Sequence, residues 1–136
     1  MNDMLKNVCE FNERAGIKAM NVTSQDVETL TQTIHSRMRL IFEEYGELAD
    51  AVLSDNLVEI LDGAADLIYV VLGTVHVFGL SEVFDEVWQV VHSSNMKKLE
   101  NKITLDSNGK IRKPEGWEKP NIQRILEKFK ERKFND

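Results

Sequence analysis

Cysteine and proline are nearly missing from this 136-residue chain: there is one Cys, Cys9, and there are two Pro, Pro114 and Pro120. A lone thiol cannot pair within the chain, so no disulfide framework holds the fold, and Cys9 reads as a small buried hydrophobe. With no proline before residue 114, nothing interrupts helical hydrogen bonding over the earlier residues. Long apolar runs are missing too, since stretches such as Leu67–Leu72 are too short to span a bilayer. The start, Met1-Asn2-Asp3-Met4-Leu5-Lys6, lacks the basic and apolar regions of a secretory signal. The expectation is a cytoplasmic protein without a membrane partner. Positive charge is in deficit, with 17 Lys and Arg against 23 Asp and Glu and a net charge of −6. That argues against a coat for nucleic-acid polymers, which needs clustered cations to neutralise phosphates.

What is present is helical periodicity, and the expected class is all-α. Val8, Phe11 and Ala15 are spaced as one face of a first helix that Gly16 ends. Thr23 or Ser24 caps a second helix, in which Val27, Leu30, Ile34, Met38, Ile41, Tyr45, Leu48 and Val52 recur at threes and fours as a core face. Ser54-Asp55-Asn56 is a turn. A third helix follows to Phe78, stopped by Gly79, and is apolar almost all round from Leu67 to Val77, which predicts burial in a bundle centre or at a subunit interface. A fourth helix opens at Ser81 and ends near Leu99, with Val83, Val87, Val90 and Val91 on its apolar side. Residues 103–111, β-branched at their ends around Asn108-Gly109, predict a short β-hairpin. Ile122, Ile125, Leu126 and Phe129 mark a last helix or fraying tail, so the expected organisation is a domain over 1–121 and a tail over 122–136.

The chemistry concentrates between residues 43 and 66. Glu43-Glu44-x-x-Glu47 and Glu59-x-x-Asp62-x-x-x-Asp66 place acids on one face of each of two successive helices. Like charges at that spacing cost about 0.2–0.5 kcal/mol per exposed pair, and more where two such faces meet away from water. A cation between the helices removes the conflict. Each acid also has an ordinary reading as a solvated side chain, and Asn56-x-x-Glu59 fits a capping box. Asp62 and Asp66 are harder to explain so, because they interrupt Ile60, Leu61, Gly63, Ala64, Ala65, Leu67 and Ile68, and Asp is a poor mid-helix residue.

Oxygen ligands without thiolate or imidazole suit Mg²⁺ or Mn²⁺. A di-iron bundle needs Glu-x-x-His, yet Gln32, Gly73 and Gln89 stand three before His35, His76 and His92. A carboxylate-held Mg²⁺ keeps waters and takes substrate phosphates, and a carboxylate outside its shell can serve as general base. Further along, Asn95 and Lys98 are spaced to offer an amide and an ammonium to a phosphate or base, while Lys97 equally fits a cation at a helix C-terminus. Trp88 and Trp117 offer stacking faces, although packing is the commoner role.

These residues resemble a known family. Glu43-Glu44-x-x-Glu47 with Glu59-x-x-Asp62 is similar to the signature of the all-α nucleoside triphosphate pyrophosphohydrolases, the MazG-like and phosphoribosyl-ATP pyrophosphohydrolase-like group. The segments Arg39-Leu40-Ile41-x-Glu43-Glu44, Asp62-Gly63-Ala64-Ala65-Asp66-Leu67-Ile68-Tyr69 and Ser94-Asn95-Met96-x-Lys98 extend the likeness to a branch found in bacteria and phages, over roughly residues 5–121. The resemblance implies a four- to five-helix bundle of MazG-like type, assembled as a homodimer or homotetramer. It implies Mg²⁺-dependent hydrolysis of a nucleoside triphosphate, a dNTP or modified NTP, to the monophosphate and pyrophosphate. By the same resemblance Glu44, Glu47, Glu59 and Asp62 hold Mg²⁺, with Mn²⁺ an alternative, and Asp66 supports them or holds a further ion. Glu43 orients or deprotonates the attacking water, and Asn95 and Lys98 contact the nucleotide. The link between the acidic helices, Asp50 to Asn56, is shorter than in longer members, which leaves base selection to other segments. Two alternatives stay open: a non-catalytic metal- or partner-binding bundle, and a pyrophosphohydrolase for a phosphoribosyl-nucleotide.

Overall fold

The computed structural model describes residues 3–21, 27–100 and 102–135. Its elements are α1 (Asp3–Arg14), α2 (Val27–Leu53), α3 (Leu57–Val77), α4 (Ser81–Met96), one 3-10 turn (Lys97–Leu99) and α5 (Ile122–Asn135). The class is all-α, as the periodicity predicts, and the chain divides into two compact units, Met1–Glu82 and Val83–Asp136.

In the first unit α3 packs against both α1 and α2. The inward stripe of α1 is Leu5, Val8 and Asn12, turned from the expected Val8, Phe11 and Ala15. Phe11 is 54% exposed and meets Tyr69 edge-on, with ring centroids 5.7 Å apart. Gly16, at φ +73°, ends α1 as expected, because the left-handed conformation lets Ile17 N–H return to the Asn12 carbonyl at 2.8 Å. Thr23 and Ser24, the expected caps of α2, lie outside the described residues.

The α2–α3 turn is local chemistry. Asp55 takes φ 53°, and Asn56 caps α3 by accepting from Glu59 N–H at 3.3 Å. The Asn56 N–H goes to the Ala51 carbonyl at 3.2 Å, so the Glu59 side chain is not needed to close a reciprocal box. Two glycines of α3 then set how near α2 comes. A Cβ on Gly63 would lie 3.1 Å from the Leu48 Cα, and one on Gly73 would lie 2.9 Å from Arg37 Nη2.

This register corrects the core face expected for α2. Arg37 and Ala51 are buried, with Glu44 and Leu48 partly buried on the same side, whereas Val27, Ile34, Met38, Tyr45 and Val52 remain exposed. The apolar stripe therefore flanks the α2–α3 contact. On α3, Leu72, His76 and Val77 are buried, but Leu57, Val58, Leu61 and Ile68 are exposed. Contrary to the expectation from run length, α3 is long and apolar enough to cross a membrane by length and composition alone. It nevertheless packs against both α1 and α2 and carries Glu59, Asp62 and Asp66.

In the second unit Val83 and Ser94 are the buried residues of α4, with Val87, Val90 and Val91 partly buried. Over 103–111 no strand forms; the expected hairpin is corrected to a turn with an isolated antiparallel bridge, Leu105 to Ile111. Asp106 Oδ1 takes the N–H groups of Asn108 and Lys110 at 2.9 and 3.0 Å. Ile103, Leu105 and Ile111 are all exposed, so a ladder would have no apolar surface to cover. Asn121 Oδ1 accepts from Arg124 N–H at 3.0 Å and starts α5, whose Phe129 is 2% exposed.

Candidate active site

Glu43, Glu44 and Glu47 project from the second half of α2, and Glu59, Asp62 and Asp66 from the first half of α3. The two helices run antiparallel across the short turn, which brings the stripes to the same level. Burial first, then the charges of Glu47, Asp66, Glu43 and Asp62, hold the Glu44 carboxyl above its ordinary range. Each neighbour acting on Glu44 is itself an acid, and two of them belong to the other helix. Five of the six expected acids thus share one electrostatic neighbourhood, with Glu44 at its centre. Glu59 takes no part in that shift and stands exposed in the first turn of α3.

Among the described residues no group of three or more His, Cys, Asp or Glu converges closely enough to enclose a metal ion. Coulomb forces act through several ångströms of water, whereas direct ligation needs oxygens near 2 Å from the ion, so both observations hold together. The donor set, carboxylates without thiolate or imidazole, fits a hard cation that keeps much of its water. It does not fit a closed structural site.

A charged residue absent from the sequence reading sits on the same face of α2. Arg37 is 9% exposed; its Nε donates to Thr74 Oγ1 at 3.2 Å and its Nη2 to the Val70 carbonyl at 3.0 Å. Thr74 Oγ1 donates in turn to the Val70 carbonyl at 2.9 Å. Burial pushes the guanidinium down from its ordinary value. Beside it Asn12, 4% exposed, has an Nδ2 without a partner among the described residues, 3.8 Å from where a Gly73 Cβ would stand. The signal for Arg37 was available: it is seven residues before Glu44, enclosed by Ile34, Met38 and Ile41, the same anomaly that singles out Asp62 and Asp66.

In the second unit Asn95 and Lys98 do come together, with Lys98 Nζ donating to Asn95 Oδ1 at 2.7 Å. The ammonium also stands 5.0 Å from the centre of the Trp117 ring, and Lys113 Nζ stands 4.7 Å from it. Trp117 is fixed by its Nε1–H, which donates to the Ser94 carbonyl at 2.9 Å. Trp88 is exposed.

Comparison with known proteins bears on these same elements. The family model described as phosphoribosyl-ATP pyrophosphohydrolase matches residues 10–95, which span Asn12, Arg37 and both acidic stripes. An uncharacterized protein of Acanthamoeba polyphaga mimivirus is 45% identical over 75 residues, which are 54% of this chain and 30% of that protein. The chain therefore matches less than a third of that relative's length. With both acidic helices inside the matched region, the chain belongs to the phosphoribosyl-ATP pyrophosphohydrolase family, within the all-α nucleoside triphosphate pyrophosphohydrolases.

Proposed function

We propose that this protein is a cytoplasmic pyrophosphohydrolase that consumes one water to split a nucleoside triphosphate, a dNTP or modified NTP, into the monophosphate and pyrophosphate. The observation that carries the reading is the crowding of Glu44 by four other acids from two helices, inside the region matched by the family. A cation relieves such a concentration of unneutralised charge, and a polyphosphate needs that cation to approach it.

Glu44, Glu47, Asp62 and Asp66 would hold Mg²⁺ or Mn²⁺, with Glu59 joining from the first turn of α3. When bound, the ion supplies Lewis-acid polarisation of the phosphoryl oxygens. Glu43, exposed and adjacent to Glu44, accepts the proton of the attacking water. The water oxygen bonds to phosphorus, and the bridging oxygen leaves with the pyrophosphate. Asn95 and Lys98 contact the nucleotide, for which Lys98 exchanges its bond to Asn95 for a phosphate oxygen.

The working unit is a homodimer or homotetramer. Ile34, Met38, Phe42 and Tyr45 on α2, with Leu57, Leu61 and Ile68 on α3, leave apolar side chains in solvent on the two acid-bearing helices. The family description favours a second substrate reading, a phosphoribosyl-nucleotide, with the same bond cleavage.

The deciding experiment offers canonical and modified NTPs, dNTPs and phosphoribosyl-ATP with Mg²⁺ or EDTA, and resolves pyrophosphate from orthophosphate. Metal-dependent pyrophosphate release is the expected result, and the best substrate separates the two readings. A folded, metal-binding protein that turns over none of them would instead be a binding bundle.

A further inference from the structure

The two acidic faces repel each other, and in the absence of an ion something else must hold α2 and α3 in register. Arg37 has the right construction. Its planar fork reaches from α2 to two acceptors on successive turns of α3, the Val70 carbonyl and Thr74 Oγ1. Two donors in a rigid plane fix both the slide and the rotation of one helix on the other, which a single ammonium on a flexible stem cannot do. The level is also right, since Arg37 stands two helical turns from Glu44, and Val70 and Thr74 stand one and two turns beyond Asp66.

Stability alone explains the arrangement poorly. A buried guanidinium satisfied by neutral oxygens carries a desolvation cost that a well-packed apolar residue avoids. The surroundings are nevertheless shaped for it. Gly73 leaves the space that a Cβ, 2.9 Å from Nη2, would occupy, and Asn12 closes the same spot from α1. The guanidinium bonds a hydroxyl and a carbonyl, so what it offers the acids is position.

We propose that Arg37 is a positioning residue for the acidic site: by fastening α2 to Val70 and Thr74 of α3, it sets the separation of the Glu44–Glu47 and Asp62–Asp66 faces and so their affinity for a divalent cation. This rests on the reading of those faces as a metal site. Metal ligation tolerates only small errors in oxygen position, and loss of residues that orient ligands typically lowers metal affinity about 10- to 100-fold.

The test uses the full chain with Arg37→Lys, Thr74→Val and Thr74→Ser, and with Leu5→Ala as a core variant away from the staple. Mn²⁺ binding is read by electron paramagnetic resonance, folding by circular dichroism, and the Mg²⁺ dependence of turnover separately. Arg37→Lys and Thr74→Val should weaken Mn²⁺ binding about tenfold. Thr74→Ser, which keeps the hydroxyl, should bind as wild type, and so should Leu5→Ala despite a lower melting temperature. Unchanged Mn²⁺ binding in both staple variants overturns the proposal, as does equal weakening in Leu5→Ala. Thr74→Val keeps the test decisive if Arg37→Lys does not fold. A wild type that binds Mn²⁺ without turnover refutes the proposed function while the titrations still decide the role of Arg37. A wild type that binds no Mn²⁺ overturns the proposal together with the metal site.

Discussion

Replacing Glu44 by Gln removes the carboxylate on which four others act and keeps the shape of the side chain. In metal-free protein that should raise stability. Taking about 0.2–0.5 kcal/mol for each like-charge pair, and discounting for solvent at a partly exposed site, the relief is about 1 kcal/mol, or roughly 4 °C in melting temperature for a chain of this size. The pH dependence follows from the raised Glu44 value. A carboxyl titrating higher in the folded state leaves the protein most stable where Glu44 is protonated, and stability falls as pH rises through the folded value. The gain from Glu44→Gln should accordingly be absent in acid, grow through and just above the ordinary carboxylate range, and reach its full size at neutral pH. Thermal unfolding by circular dichroism in EDTA at low salt, repeated in high salt, reads it, because salt should shrink the difference. Adding Mg²⁺ should then stabilise wild type by ligand linkage and leave the variant behind. A variant no more stable than wild type in EDTA at neutral pH, or one that Mg²⁺ stabilises equally, would refute the reasoning.

Glu47→Gln or Asp62→Asn should leave a folded oligomer and abolish Mg²⁺-dependent turnover in the product assay; full activity in either would sink its assignment as a ligand. Gly73→Ala drives a methyl to 2.9 Å from Arg37 Nη2 and should leave the protein up to about 1–3 kcal/mol less stable in denaturant unfolding than Gly46→Ala, whose Cβ meets nothing within 4 Å and which shares the same gain in helix propensity. Ile68→Glu puts a charge on the exposed apolar side of α3 and should lower the mass measured by light scattering to that of a monomer; an unchanged mass would place the subunit contact elsewhere.

Much of the fold was legible because its determinants are local. Asp55-Asn56 and Gly79 mark the ends of α3 by their own backbone preferences, and the acidic stripes follow from helical spacing alone. The orientation of α2 was not legible, since periodicity shows that Ile34, Met38, Ile41 and Tyr45 share a face but not whether α3 or another molecule covers it. The apolar neighbours of Arg37 mark it in the sequence, but its partners are not legible there: they are a carbonyl and a hydroxyl on the next helix, which leave no complementary charge. The hairpin at 103–111 was overread because Asn-Gly marks a turn, while pairing beyond the turn requires a surface for Ile103, Leu105 and Ile111 to cover.

The setting of Trp117 gives the protein an optical reporter of its own. Its indole is anchored to the Ser94 carbonyl and carries two ammonium groups near its ring, so its emission reflects the field they impose. Any ligand that draws Lys98 away removes one of those charges while Lys113 and the anchor remain. With Trp88 replaced by Phe, the colour of the remaining fluorescence becomes a direct record of where the Lys98 ammonium is, legible in a titration without label or substrate analogue.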